Sequence, residues 1–219
     1  MLQSMRYQTK INYRWSDSIA YSVGLMASDG CLQSDGRHLD LTSVDTEQLK
    51  NFSKAIGKNL RISLKHNSPT NRAYRVQFSD VAYYDFLIRI GLTPRKSKTI
   101  NELAIPDKFY THFLRGLFDG DGTTYSYMDL RWKNSFLYYV CFVSASKDFL
   151  KYIASMNSKI IETNGSSIRK SGRAYILSYA KNDSYLLYKF MYKNTASLFL
   201  SRKRQKLEAS ILRDRGDII

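Results

Sequence analysis

Apolar residues fall in two rhythms along this chain. Around Ile19, Val23, Leu25 and Met26, and again around Phe109, Phe113, Leu114, Leu117 and Phe118, they recur every three or four positions, which predicts helices with one buried stripe. Ser16 or Asp17 can cap the first helix, and Pro106-Asp107 can start the second. Both stretches run into an aspartate and a glycine, Asp29-Gly30 and Asp121-Gly122. The glycines sit where a helix is expected to stop in the left-handed conformation.

Between these helices the rhythm changes to strict alternation. Cys31-Leu32-Gln33, the turn Ser34-Asp35-Gly36 and His38 to Thr42 read as a hairpin with Leu39 and Leu41 inward. A helix from Thr46 through Leu49, Phe52 and Ile56 is closed by Gly57. Asn59 to His66 alternates, with Leu60, Ile62 and Leu64 on one face and Arg61, Ser63 and Lys65 on the other. Ser68 to Asn71 turns the chain, and Arg72 to Phe78 returns with Arg75 and Gln77 on the polar face. A helix from Val81 to Ile90 stops at Gly91.

The second half repeats this order. Strands are expected at Thr123–Asp129, Phe136–Ser144, Ser166–Lys170 and Arg173–Ala180, the last two joined across Ser171-Gly172. Helices are expected at Lys147–Ile161, Ser184–Tyr192 and Ser197–Arg213. Arg72-Ala73-Tyr74 and Arg173-Ala174-Tyr175 fall at matching places. The pattern predicts an α+β fold of two pseudo-symmetric αββαββα halves, residues 1–95 and 109–219, joined by a linker over 96–108. Residues 1–15 are polar and basic, with Arg6, Lys10 and Arg14, and read as an arm along a nucleic acid or a disordered lead.

The length of 219 residues and 43% hydrophobic content are enough for a sizeable core. Lys and Arg number 34 against 19 acids, a net charge of +15, which points to a polyanionic partner. No apolar run is long enough to span a bilayer, and Met1 to Lys10 lacks an apolar signal core, so no membrane association is expected. Cys31 and Cys141 have no metal-like spacing and suggest no disulfide framework, which fits a reducing intracellular setting such as cytoplasm or an organelle matrix. His38, His66 and His112 likewise have no cluster spacing and receive no catalytic role.

The two aspartates are oddly placed. A helix C-terminus already carries negative partial charge, and mid-helix Gly24 and Gly116 each cost roughly 1 kcal/mol relative to alanine. Close packing of the two helices explains both: the glycines let the backbones touch, and Asp29 and Asp121 emerge side by side. Paired carboxylates repel unless a cation lies between them, and hard oxygen ligands suit Mg²⁺.

Leu114-Arg115-Gly116-Leu117-Phe118-Asp119-Gly120-Asp121-Gly122, with the weaker copy Ser22-Val23-Gly24-Leu25-Met26-Ala27-Ser28-Asp29-Gly30, resembles the motif of LAGLIDADG homing endonucleases of the single-chain, two-motif kind. The better copy departs at Arg115 and Phe118, with Gly120 a common variant of the seventh letter. The weaker copy departs at Ser22, Val23, Met26, Ala27 and Ser28. The resemblance covers nearly the whole chain. It implies a monomer whose antiparallel sheets form a DNA-binding saddle and which cleaves both strands of a long asymmetric site, with Mg²⁺ or another divalent cation such as Mn²⁺. It implies that Asp29 and Asp121 bind metal, with the backbone carbonyls of Ser28 and Gly120 completing the shells. It also implies a lysine at each site. Lys98 is the first choice in the linker with Lys96 close behind, and Lys203 is the choice in the second half with Lys206 second.

Alternating polar faces suit a DNA groove, because Arg and Lys can read guanine and Gln can read adenine. The candidate readers are Gln33, Arg37, His38, Arg61, Lys65, Arg75 and Gln77 in the first half, and Tyr125, Arg131, Lys133, Arg169, Lys170 and Arg173 in the second. Two other functions fit the same sequence, an intron RNA maturase and a catalytically inactive DNA-binding regulator. The presence of both acids argues against the latter.

Overall fold

A computed structural model describes residues 13–65, 72–131, 135–193 and 197–216. The first half begins with helix α1 (Asp17–Ser28), whose N-terminus is capped by Ser16 Oγ accepting from Ile19 N at 3.2 Å. Strands β1 (Gly30–Leu32) and β2 (His38–Ser43), helix α2 (Thr46–Ala55), strands β3 (Ile62–Lys65) and β4 (Ala73–Ser79) and helix α3 (Val81–Arg89) follow. The second half repeats the series as α4 (Tyr110–Asp121), β5 (Gly122–Asp129), β6 (Ser135–Ser144), α5 (Lys147–Ile161), β7 (Ser166–Ser171), β8 (Ala174–Tyr179) and α6 (Lys181–Tyr192), and adds one more helix, α7 (Ser201–Arg215).

Each half builds one antiparallel four-stranded sheet, in the orders β1-β2-β4-β3 and β5-β6-β8-β7. Register follows the period of two. Leu39 and Leu41 lie opposite Phe78 and Val76 on the covered face, while Asp40 and Thr42 lie opposite Gln77 and Arg75 on the other. In the second sheet Val140 and Phe142 oppose Tyr179 and Leu177 on the covered face. The helices lie against these apolar faces, and one continuous core joins both halves.

Helices α1 and α4 form the central seam. A Cβ at Gly24 would stand 2.2 Å from Phe113 O, and one at Gly116 would stand 2.1 Å from Tyr21 O. These two positions accept only glycine, because backbone meets backbone there. Arg115, a departure from the motif, is fully buried. It donates to Leu198 O at 2.7 Å and Met191 O at 2.6 Å and pairs with His112 Nδ1 at 2.7 Å, so it ties the last turn of α6 and the chain after it onto α4.

The ends of the seam helices differ from expectation. Gly122 is extended, with φ −76° and ψ 151°, and Gly30 has no positive φ; both open the next strand instead of closing a left-handed turn. Their glycine requirement is steric. A Cβ at Gly30 would stand 2.6 Å from Met26 Cα, and one at Gly122 would stand 2.4 Å from Phe118 O. Residues 1–12 of the expected N-terminal arm (1–15), the turn at 68–71 and Lys133 lie outside the described residues. Among the described residues, no helix is long and apolar enough to cross a membrane.

Candidate active site and nucleic-acid face

The seam delivers Asp29 and Asp121 to one place. Asp29 caps α1 and Asp121 is the last residue of α4. Gly120 packs so closely on the end of α1 that a Cβ there would stand 1.8 Å from Ser28 Oγ and 3.1 Å from Asp29 Oδ2. Asp121 is exposed as a residue, yet enough protein lies around it to cost its charged form part of its hydration. This burial, reinforced by the Asp29 charge, raises its carboxyl to about 6. Burial also raises Asp29, against the pull of a hydrogen bond from Gln48 and the charges of Lys203 and Lys96.

Two lysines flank the pair in matching positions. Lys96 Nζ donates to Ser28 O at 3.1 Å, the carbonyl just before Asp29. Lys203 Nζ donates to Gly120 O, the carbonyl just before Asp121, and to Phe118 O at 2.9 Å and Gly122 O at 2.7 Å. Both are buried, and burial lowers both pKa values, that of Lys203 to about 8. Lys98 and Lys206 are exposed. The first choice in the linker is therefore corrected: the structure brings Lys96 to the carboxylates, not Lys98. Arg95 is left-handed, with φ 57°, and opens a single 3-10 turn over Lys96–Lys98. Three residues complete such a turn, so Lys96 and Lys98 cannot share a face. On α7, Lys203 and Leu207 share the inward face and Lys206 does not.

Gln48 is a site residue that the sequence reading passed over. Its Nε2 donates to Asp29 Oδ2 at 2.7 Å, and its Oε1 accepts from Ser43 Oγ at 2.8 Å. It lies on the buried face of α2, one turn before Phe52, so a polar residue on the apolar stripe is the one local mark it leaves, and that mark does not name its partner. The sixth-letter acid, Asp119, stands apart from the carboxylate pair. It is fully buried, and its Oδ2 accepts from Tyr21 OH and Leu200 N, each at 2.7 Å. It thereby ties α1 and the start of α7 to α4.

Among the described residues, no group of three or more His, Cys, Asp or Glu side chains is placed to hold a metal ion. The available donors are two carboxylates and the carbonyls of Ser28 and Gly120, an all-oxygen set that fits a hard divalent cation. Each carbonyl already accepts from a lysine, and its second lone pair leaves capacity for another partner.

The uncovered faces of the sheets flank this point. On the first sheet, pairing places Arg75 opposite Thr42 and Ser63, and Gln77 opposite Asp40. Gln33 and His38 continue that face at one edge, joined by Gln33 N donating to His38 O at 3.0 Å. Lys65 lies on it too, with Nζ donating to Thr42 Oγ1 at 3.2 Å. Arg61 precedes β3 and is exposed, and Arg37 lies in the β1–β2 turn. On the second sheet, Tyr125 and Arg169 share the open face. Three predicted readers fare differently. Lys170 opposes Tyr175 and alternates to the other side of the sheet. Arg173 lies in the turn before β8. Arg131 folds back on Asp129, with Nη2 2.8 Å from Oδ2.

Residues 108–192 match the family model described as a LAGLIDADG-like domain. No curated protein matches the chain in sequence. Among solved structures, the chain is similar to the homing endonuclease I-WcaI bound to its DNA recognition sequence, at TM-score 0.63 and 13% identity over 89% of this chain and 88% of that one. It is similar to full-length DUF199/WhiA from Thermatoga maritima, at TM-score 0.59 and 16% identity over 95% of this chain and 64% of that one. It is also similar to I-DmoI in complex with DNA and Mn, at TM-score 0.51 and 13% identity over 81% of this chain and 98% of that one. At these identities the likeness is one of fold.

Proposed function

The chain carries a LAGLIDADG-like domain in its second half within a doubled LAGLIDADG fold, and we propose that it is a site-specific double-strand DNA endonuclease. The observation that carries this reading is the meeting of Asp29 and Asp121 at the end of a glycine-tight seam, with a buried lysine on each side. Two carboxylates brought this close, the charge of Asp29 helping to raise Asp121, suit a protein that binds a cation between them. The bound DNA of I-WcaI and the Mn of I-DmoI support a duplex partner and a divalent cation here.

In this reading Asp29 and Asp121 hold one or more divalent ions, Mg²⁺ by preference, with Ser28 and Gly120 carbonyls. A cation held there supplies an activated water and neutralises charge on the phosphate. Gln48 fixes the orientation of the Asp29 carboxylate through Oδ2. Lys96 and Lys203 place positive charge beside each carboxylate, where a scissile phosphate would lie. Both halves sit in one chain, so a monomer completes the pair. The polar face of the first sheet and Tyr125 and Arg169 on the second contact the duplex on either side.

A randomised duplex library tests this, screened for Mg²⁺-dependent cleavage with Asp121→Asn in parallel. Cleavage at one long asymmetric site, at least ~100-fold slower in the variant as expected for loss of a metal ligand, is the predicted result. A second reading, a DNA-binding protein that does not cut, draws on the weaker first motif, where Ala27 replaces an acid, and on the likeness to WhiA. Tight duplex binding with no cleavage in Mg²⁺ or Mn²⁺ would establish it, and preference for intron RNA over duplex would favour a maturase.

A further inference from the structure

The two open sheet faces differ in chemistry. The first is mostly polar, with Gln33, His38, Thr42, Lys65, Arg75 and Gln77 and only Cys31 and Ala73 between them. On the second, the pairing register places Tyr125, Tyr127, Leu137, Tyr139, Val143 and Ile176 on one side, with Arg169 among them. This side is opposite the core residues Tyr138, Val140, Phe142, Leu177 and Tyr179, so it is not the packing face of the sheet.

The tyrosines are ordered into a stack. Tyr139 lies between the other two, 4.8 Å from Tyr125 and 6.2 Å from Tyr127 by ring centroid, with interplanar angles of 10° and 6°. Tyr125 and Tyr127 remain 37% and 44% exposed. Three near-parallel rings side by side on an open face form a rigid apolar ridge with little conformational entropy left to lose on binding. The ridge is continuous with the candidate active site: β5 leaves Asp121 directly, and Thr123, Tyr125 and Tyr127 follow on the same face. It therefore lies along the path of a duplex whose phosphate reaches the carboxylate pair, and Arg169 and the net charge of +15 suit the backbone of that duplex.

In the major groove of DNA the one apolar feature on a base edge is the thymine 5-methyl group. We propose that the second sheet selects its half of the duplex by packing Tyr125, Tyr127 and Tyr139 against thymine methyls, while the first sheet selects by hydrogen bonds. The inference rests on the DNA reading above and gives the two half-sites different chemistry.

The test starts from duplexes enriched from a randomised library by binding in EDTA, so that no strand is cut. The enriched duplex is resynthesised with deoxyuridine in place of thymidine in one half at a time, which removes only the methyls. In the half beneath the second sheet, affinity falls roughly four-fold per contacted methyl, the worth of one buried methylene. In the other half it does not change. Tyr125→Gln and Tyr127→Gln lower the thymine-over-uracil preference in that same half and leave the first half's base preferences in place. Equal losses in both halves, or none in either, with tight binding retained, overturn the inference and leave the DNA reading standing. Failure to enrich any duplex overturns that reading and the inference together.

Discussion

Single side chains decide the chemistry at the seam. The acids at 29 and 121 were legible because they recur on matching helices, and Lys203 was the choice made in the second half, but in the linker Lys98 ranked ahead of the Lys96 that the structure places there. Four lysines lie in the two relevant segments, and charge alone cannot rank them. Backbone geometry does: a left-handed Arg95 turns Lys96 inward and Lys98 outward. Lys96→Met is expected to cut single-turnover cleavage at least ~100-fold, in the range for a group stabilising transition-state charge, whereas Lys98→Met stays within about two-fold. Equal losses would show that Lys98 moves to the phosphate on binding. The role of Gln48 was invisible in sequence because it depends on α2 passing beside Asp29, a contact no local pattern encodes.

Asp119 makes a prediction of a different kind. Burial raises its carboxyl to about 7 from an ordinary 3.8, although hydrogen bonds from Tyr21 and Leu200 pull the other way. The folded protein thus binds this proton more tightly than the unfolded chain. The stability it contributes is complete below about pH 4 and is lost as pH rises towards 7. Asp119→Asn is neutral throughout. Thermal melts between about pH 5 and about pH 8 should therefore show a steeper fall in Tm for the parent protein than for the variant. A parallel pair of curves would mean that the carboxylate stays charged in the fold.

At the scale of elements, periodicity located nearly every helix and strand, and α5 coincides with its expected span. Errors gather at ends. Helix α6 begins at Lys181, three residues before the expected Ser184, because the chain already turns at Ala180. Helix α7 begins at Ser201, where Asp119 accepts from Leu200 N at its start. The seam glycines were read correctly as contact points, and the terminal glycines wrongly as left-handed stops, since sequence cannot tell a close approach from a positive φ. Gly116→Ala should cost at least about 2–3 kcal/mol by overpacking backbone against Tyr21 O. In a chain of this size that is a Tm loss of roughly 5–10 °C, measurable by calorimetry. A loss under about 1 °C would mean that the helices part easily.

At the scale of the molecule, the halved repeat was visible in sequence but the fastenings between halves were not. Asn51 Nδ2 donates to Phe199 O at 2.8 Å, Ser201 N donates to Glu47 Oε1 at 3.2 Å, and Arg202 pairs with Asp45 at 2.6 Å. These link the start of α7 to α2 across most of the chain's length, and such pairs leave no periodic trace. The same separation governs the carboxylate pair. Asp29 and Asp121 lie 92 residues apart in the chain, and Lys203 a further 82 residues on. In the proposed reading the arrangement behaves as a coincidence detector: a broken chain could offer a duplex either half's surface, but a site able to act would arise only when these distant segments report together. Fused halves are also free to drift apart in sequence, because neither has to match a copy of itself.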